Sequence, residues 1–283
     1  MREPPKEMNF GLRANILAEA MLHSVKPRDS ATVILVRHAV KGLGTGELEA
    51  EGLEVFLQRR ASTMAFASGM LAFPGGSVDS RDFEPGIDWV GPAPQLWANW
   101  WRCEPTLAKA LVCAAVRETF EECGVLLAGK GSTVLESTNE YADERRRLIS
   151  GELSLAEFFA SAGLALRADL LKPWANWVTP AFAPRRYDTR FFLATVPKGQ
   201  TADGQTTEVD HAGWRPISSV LSEVERYSGG LLFPTWVTLA ELEDFLSESE
   251  VFASERNLDK VSPVITVDED GRRVSAKRVS DSE

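Results

Sequence analysis

The period of the apolar positions changes several times along the chain, and each change marks an element. Residues 31–40 read Ala-Thr-Val-Ile-Leu-Val-Arg-His-Ala-Val, an apolar, β-branched run of the kind that forms a buried strand. A polar, glycine-rich turn over 41–51 separates it from Val55-Phe56-Leu57-Gln58-Arg59-Arg60, so 31–60 predicts a hairpin. A helical period follows Glu104-Pro105, proline being tolerated in a first helical turn, with Leu107, Leu111, Ala114 and Ala115 placed to pack on a sheet. The stretch 137–171 reads as helical: a charged helix over 140–150, then one opened by Ser154-Leu155-Ala156-Glu157, a capping box, and running through Ala162. Strands are predicted over 174–180 and 189–196, and helices over 218–227 and 233–247, the last with Trp236, Leu239, Leu242 and Phe245 at core spacing. A short outer helix is expected over 12–23. The charged, aromatic-poor stretch 267–283 predicts an end that is mobile or borrowed by a neighbouring subunit.

Composition narrows what such a chain can do. At 283 residues and 44% hydrophobic content there is ample material for a buried core. No apolar run reaches the length that spans a bilayer. The opening Met-Arg-Glu-Pro-Pro-Lys-Glu-Met has no apolar signal-like core, and a cytoplasmic protein is expected. Cys103, Cys113 and Cys123 lack C-x-x-C spacing and cannot all pair, which fits buried thiols in a reducing compartment. A net charge of −10 disfavours a nucleic-acid surface and repels anionic substrates. A phosphate-bearing ligand therefore needs bound cations and locally placed arginines.

The chemistry concentrates in Arg117-Glu118-Thr119-Phe120-Glu121-Glu122-Cys123-Gly124-Val125. On a helix Glu118, Glu121 and Glu122, at i, i+3 and i+4, share one face, where three like charges repel unless cations lie among them. Oxygen-only ligands suit Mg²⁺ or Mn²⁺. Gly124 stands where a glycine turns left-handed to end a helix. Charged helices at this spacing are also common as plain solvated faces, so the rest of the motif has to decide between the two.

These residues, with Phe73-Pro74-Gly75-Gly76 upstream, resemble the Nudix hydrolase box G-x5-E-x7-R-E-U-x-E-E-x-G-U, where U is a bulky apolar residue. Gly76, Arg117, Glu118, Glu121, Glu122, Gly124 and Val125 match it. Thr119 departs at an apolar position, Asp82 occupies the first glutamate position, and 34 residues rather than seven separate Asp82 from Arg117. That insertion is similar to one in the branch containing acyl-coenzyme A diphosphatases. So is the upstream pattern: Leu57, Arg60, Ala61, Gly69 and the Phe-Pro-Gly-Gly fall in register, Phe56 is a near match, and Gln58 and Ala65 replace a threonine and an arginine.

The resemblance implies an α/β fold, a Nudix-type α/β/α sandwich with a mixed β-sheet. It is read as a single domain with a core over about 28–250, a tryptophan-rich loop insertion over 83–104, an extra helical segment and a charged tail. It further implies hydrolysis of a diphosphate linked to another moiety X. Coenzyme A or acyl-coenzyme A is the leading substrate, with ADP-ribose or a dinucleotide, or a non-catalytic binding module, as alternatives. Glu118, Glu121 and Glu122 would hold Mg²⁺ or Mn²⁺ and serve catalysis, with a Gly75 carbonyl and Glu208 (Asp210 in reserve) completing the metal shell. Arg117 would orient a box glutamate, being always protonated. Arg60, Arg185, Arg186 and Arg190 are candidates for substrate phosphates, because guanidinium forks match phosphate oxygens. Salt bridges to the acidic surroundings are an equal reading of the last three. The partner is a small-molecule diphosphate, with no nucleic acid or membrane, and a homodimer is the default assembly.

Two features invite other readings. Trp89, Trp97, Trp100 and Trp101 can stack on an adenine or cover an acyl chain, but more simply anchor the insertion on the core. Val36-Arg37-His38-Ala39 resembles the strand-end motif of the histidine phosphatases. That chemistry needs a second histidine and supporting arginines, and the chain has only His23, His38 and His211.

Overall fold

The computed structural model describes residues 25–39, 52–61, 69–205, 209–227, 230–268 and 271–279. The expected helix over 12–23, the turn over 41–51, Ala65 and Glu208 lie outside them. Strands β1 (Arg28–His38) and β2 (Leu53–Arg60) form the expected antiparallel hairpin, pairing Val36 with Val55 and His38 with Leu53. Two short strands, β3 (Leu71–Ala72) and β4 (Gly75–Ser77), pair with β2 and β1 respectively.

The insertion carries more regular structure than a loop, namely β5 (Asp88–Val90) and helix α1 (Pro94–Trp101). Its tryptophans do anchor it. Trp97 and Trp101 are buried against Phe192, and the Trp89 and Trp97 indole N–H groups both donate to the Pro92 carbonyl. Helix α2 (Pro105–Cys123) follows, with proline in its first turn and Gly124 at its end with φ 69°. Then come β6 (Ala128–Lys130), β7 (Thr133–Val134), α3 (Ala142–Ile149) and α4 (Leu155–Ala162). The Ser154–Glu157 capping box opens α4 as its sequence requires. Where a helical run through 171 is expected, the chain instead forms β8 (Ala165–Arg167), which joins β5, β6 and β7 in a small second sheet.

Strands β9 (Lys172–Val178), β10 (Tyr187–Thr195) and β11 (Val209–Pro216) are followed by α5 (Ile217–Tyr227), α6 (Phe233–Leu242) and α7 (Glu248–Ala253). The single helix expected over 233–247 is thus shorter, and a second one follows. At the charged end, β12 (Lys260–Asp268) and β13 (Gly271–Arg278) form a hairpin, where the composition had predicted a mobile tail. Val261, Ile265 and Val267 at odd positions, against Ser262, Thr266 and Asp268 at even ones, supply a strand period that charge content alone obscures.

The main sheet runs β11-β2-β1-β10-β9-β12-β13 and is mixed: β1 with β10 and β9 with β12 are parallel, the other pairs antiparallel. Strand alternation sends Ala31, Val33, Leu35, Phe192 and Ala194 to the core under α1 and α2, and Ile34, Val36, Phe191 and Leu193 to the core under α5 and α6. Two helical layers thus enclose one sheet, the expected sandwich. Helix α2 sits close because the residues it buries, such as Ala108, Ala114 and Ala115, are small. Trp236, Leu239 and Leu242 are core residues as their spacing predicts. Among the described residues no helix is long and apolar enough to cross a membrane.

Candidate active site

Strand β4 lies antiparallel to the first half of β1, pairing Gly75 with Thr32 and Ser77 with Ser30, and so brings the Gly-Gly turn under the carboxylate face of α2. Both glycines are required by space. A Cβ on Gly76 would lie 2.3 Å from Glu118 Oε1, and one on Gly75, at φ 152°, 2.3 Å from the Ala31 carbonyl oxygen. The Gly75 N–H donates to Glu122 Oε2 at 2.9 Å.

Arg117 organises the cluster. Its Nε and Nη2 each donate to one oxygen of Asp82 at 2.9 Å, a two-pronged pairing with a carboxylate only 1% exposed. Nη2 also donates to the Ser77 carbonyl at 3.1 Å, and Nη1 reaches Glu118 at 2.8 Å and Glu121 at 3.4 Å. Asp82 is itself fixed by the Asp79 N–H at 2.8 Å, as part of a capping box on the 3-10 turn Ser80–Phe83. Asp82, at the first-glutamate position of the motif, is therefore an anchor for Arg117.

Burial pushes the Glu118 carboxyl up to about 7, with Arg117 pulling it down and Glu121 pushing it further up. Burial also raises Glu121, against the pull of Arg117. Arg117 is desolvated too, but Asp82, Glu118 and Glu121 outweigh that and hold its proton more firmly than usual. Carboxyl groups raised by burial and mutual repulsion beside a single arginine are short of positive charge, and an oxygen-only donor set of this kind fits Mg²⁺ or Mn²⁺. Among the described residues no three side chains already converge as a finished cation cage, because Glu118, Glu121 and Glu122 are turned onto Arg117 and the Gly75 N–H.

Glu118, Glu121, Glu122, Gly75, Gly76 and Arg60 line one cavity of about 560 Å³. Its remaining lining is neutral: hydroxyls from Ser30, Thr32 and Thr189, and an apolar wall that includes Trp177, Phe191 and Phe233. Sequence reading did not select this wall, although 174–180 and 189–196 were expected strands whose alternation puts Trp177 and Phe191 on one face.

The other arginines have other roles. Arg190 is 3% exposed and holds Asp29 at 2.7 Å and Asp188 at 3.0 Å, and Arg186, 6% exposed, donates to the carbonyls of Thr179 and Val25. Neither lines the cavity, so the phosphate role expected for them is replaced by ion pairing and backbone bonding in the fold. Arg185 is exposed in the turn between Pro180 and Tyr187, both of which line the cavity. In the Arg145–Arg147 run, Arg146 pairs with Asp143 on the surface as expected for a solvated helix. Arg145 does something the sequence did not signal: it grips Asp203 through two bonds of 2.8 Å and donates to the Glu121 carbonyl, securing the end of α2. His38 is exposed at the end of β1, its N–H donating to Glu248, and lies outside the cavity lining.

A mixed sheet between helical layers thus carries a glutamate-bearing helix fixed over a Gly-Gly strand. Residues 105–234 match the family model of the NUDT19 Nudix domain. The chain is 24% identical over 262 residues to acyl-coenzyme A diphosphatase NUDT19 of Xenopus laevis, covering 77% of this chain and 68% of that protein. It is 27% identical over 180 residues to putative nudix hydrolase 7 of Caenorhabditis elegans, covering 64% of this chain and 52% of that protein, about half its length. The crystal structure of a NUDIX hydrolase from Alicyclobacillus acidocaldarius superposes with a TM-score of 0.65 at 27% identity, covering 83% of this chain and 99% of that one. By these likenesses the chain is similar to the Nudix hydrolases, and it is a hydrolase.

Proposed function

We propose that the chain is a Mg²⁺- or Mn²⁺-dependent diphosphatase acting on a nucleoside diphosphate linked to X, with coenzyme A or an acyl-coenzyme A as substrate. The observation that carries this reading is the cavity in which three half-buried glutamates meet a glycine turn at one end and an uncharged, partly apolar wall at the other. A divalent cation held by Glu118, Glu121 and Glu122 would supply charge neutralisation on the phosphoryl oxygens and acidify an attacking water. Glu118 would serve as a ligand of that cation or as the base that takes the water's proton. Arg117, locked on Asp82, keeps Glu118 and Glu121 in place. Gly75 and Gly76 let the protein backbone approach the substrate closely, and Arg60 offers a guanidinium inside the cavity.

A second reading, cleavage of ADP-ribose or a dinucleotide, draws support from the aromatic wall, since Trp177 and Phe233 can stack on a base. Mass spectrometry of products after incubation with Mg²⁺ or Mn²⁺ and a panel of coenzyme A, acyl-coenzyme A, NADH, ADP-ribose and diadenosine polyphosphates separates the two. Release of 4′-phosphopantetheine, or its acyl form, with 3′,5′-ADP is the expected result. Cleavage confined to ADP-ribose or dinucleotides would discard the coenzyme A reading and keep the metal chemistry.

A further inference from the structure

The floor of the cavity is the sheet itself, and the register of the sheet orders its chemistry. Ser77 of β4 stands opposite Ser30 of β1, Ser30 opposite Thr189 of β10, and Thr189 opposite Trp177 of β9, and all four line the cavity. Three inter-strand steps, roughly 14 Å in all, therefore lead from the glycine strand beneath the glutamates, across neutral hydroxyls, to an indole. Val261 of β12 continues the row beyond Trp177, and Pro263, two residues on and on the same face, joins the wall. Phe233 meets Trp177 edge-on, with centroids 5.9 Å apart at 89°. Pro263 lies past the segment matched by the family model, so the C-terminal hairpin adds to this wall from outside it.

We propose that the substrate lies with its uncharged half along this track and its nucleotide half at the mouth, and that the Trp177–Phe233–Pro263 wall selects for an apolar acyl end. The proposal rests on the coenzyme A diphosphatase reading and specifies which half of the molecule the cavity recognises. Charge sets the direction. Among the described residues Arg60 is the only cationic side chain on the lining, so a phosphate beyond the two at the glutamates would be buried with little to balance it. Toward solvent the same phosphate stays hydrated, and Arg185 is exposed in the turn between two lining residues, Pro180 and Tyr187. The neutral half gains on the way in. Amides and hydroxyls find Ser30 and Thr189, and each methylene laid against the apolar wall improves binding about fourfold.

The test is kcat/KM of the full chain for coenzyme A, dephospho-coenzyme A and acyl-coenzyme A esters of four, eight and sixteen carbons. Wild type is compared with Phe233→Ala and Pro263→Trp, each checked for folding by thermal melting. We expect octanoyl-coenzyme A to exceed coenzyme A by about tenfold or more in wild type. Loss of the 3′-phosphate should change turnover by less than about fivefold, as for an exposed ion pair. The octanoyl-to-free ratio should collapse in both variants. A flat wild-type chain-length series, or an unchanged ratio in folded variants, would overturn the wall and leave the coenzyme A reading standing. A hundredfold loss on removing the 3′-phosphate would overturn the orientation. Hydrolysis of ADP-ribose with no coenzyme A derivative cleaved would sink the substrate reading itself, and this proposal with it. If neither variant folds, the three wild-type comparisons still decide.

Discussion

Asp82 and Arg117 form a buried pair whose geometry leaves little freedom, two donors on two acceptors with the remaining guanidinium nitrogen turned to the glutamates. Breaking such a pair strands a charge, so Asp82→Ala should lose about 3–5 kcal/mol in urea unfolding; a loss below 1 kcal/mol would mean the pair is dispensable. Glu121→Gln and Glu122→Gln should each lower turnover by on the order of 10²-fold or more at saturating Mg²⁺ while leaving the fold intact. Near-normal rates from either folded variant would remove the metal assignment.

Glu118 adds a pH signature. Its carboxyl titrates near 7 in the fold against an ordinary 4.5, so the folded chain keeps a proton that the unfolded chain has already released. The stability linked to that proton is fully present below 4.5 and is lost as pH rises through 7. In EDTA, the melting temperature of wild type should therefore drop between pH 6 and pH 8 more than that of Glu118→Gln. Equal drops in the two proteins would refute the assignment.

At the scale of elements, α2 works because its C-terminal end and one of its faces are fixed. Its C-terminus is closed by Gly124 in the left-handed region, where a Cβ would come within 2.8 Å of both Arg145 Nη1 and Asp203 Oδ2. Gly124→Ala should thus cost at least about 1–2 kcal/mol for the backbone alone, seen as a fall of several degrees in melting temperature. It should also depress activity, because the displaced Arg145 no longer holds the Glu121 carbonyl. A variant melting with wild type would show that the Arg145–Asp203 clamp yields freely. The insertion, by contrast, serves packing: α1 places Trp97 and Trp101 on Phe192, and none of the three lines the cavity.

For the whole molecule, the sheet divides labour between its faces and edges. One core supports α2 and the insertion, the other supports α5 and α6, and the cavity opens where β4 replaces β2 beside β1. A cation bound only by the folded state stabilises it by mass action, about 2.7 kcal/mol at a hundredfold excess over Kd. Mg²⁺ or Mn²⁺ should accordingly raise the melting temperature of wild type, EDTA should reverse it, and a Glu121→Gln, Glu122→Gln double variant should respond far less. The same shift in wild type and double variant would place the cation elsewhere.

Local rules acting within a few residues were legible in the chain itself. The Glu118, Glu121, Glu122 face, the Gly124 terminus, the Ser154–Glu157 capping box and the 31–60 hairpin all follow from period, capping chemistry or glycine's lack of a Cβ. What depends on partners distant in sequence was not. Arg190 faces Asp29 across 161 residues and Arg145 faces Asp203 across 58, so composition alone left their charges reading as candidate phosphate ligands or solvated surface. The cavity wall is likewise a product of register, because Ser30, Thr189 and Trp177 become neighbours only when three strands align side by side. The sequence by itself determined which residues are the candidates for the chemistry. The tertiary structure decided which of the charges reach the cavity, and what lies next to them there, since burial and pairing are set by strands that meet only in the folded sheet.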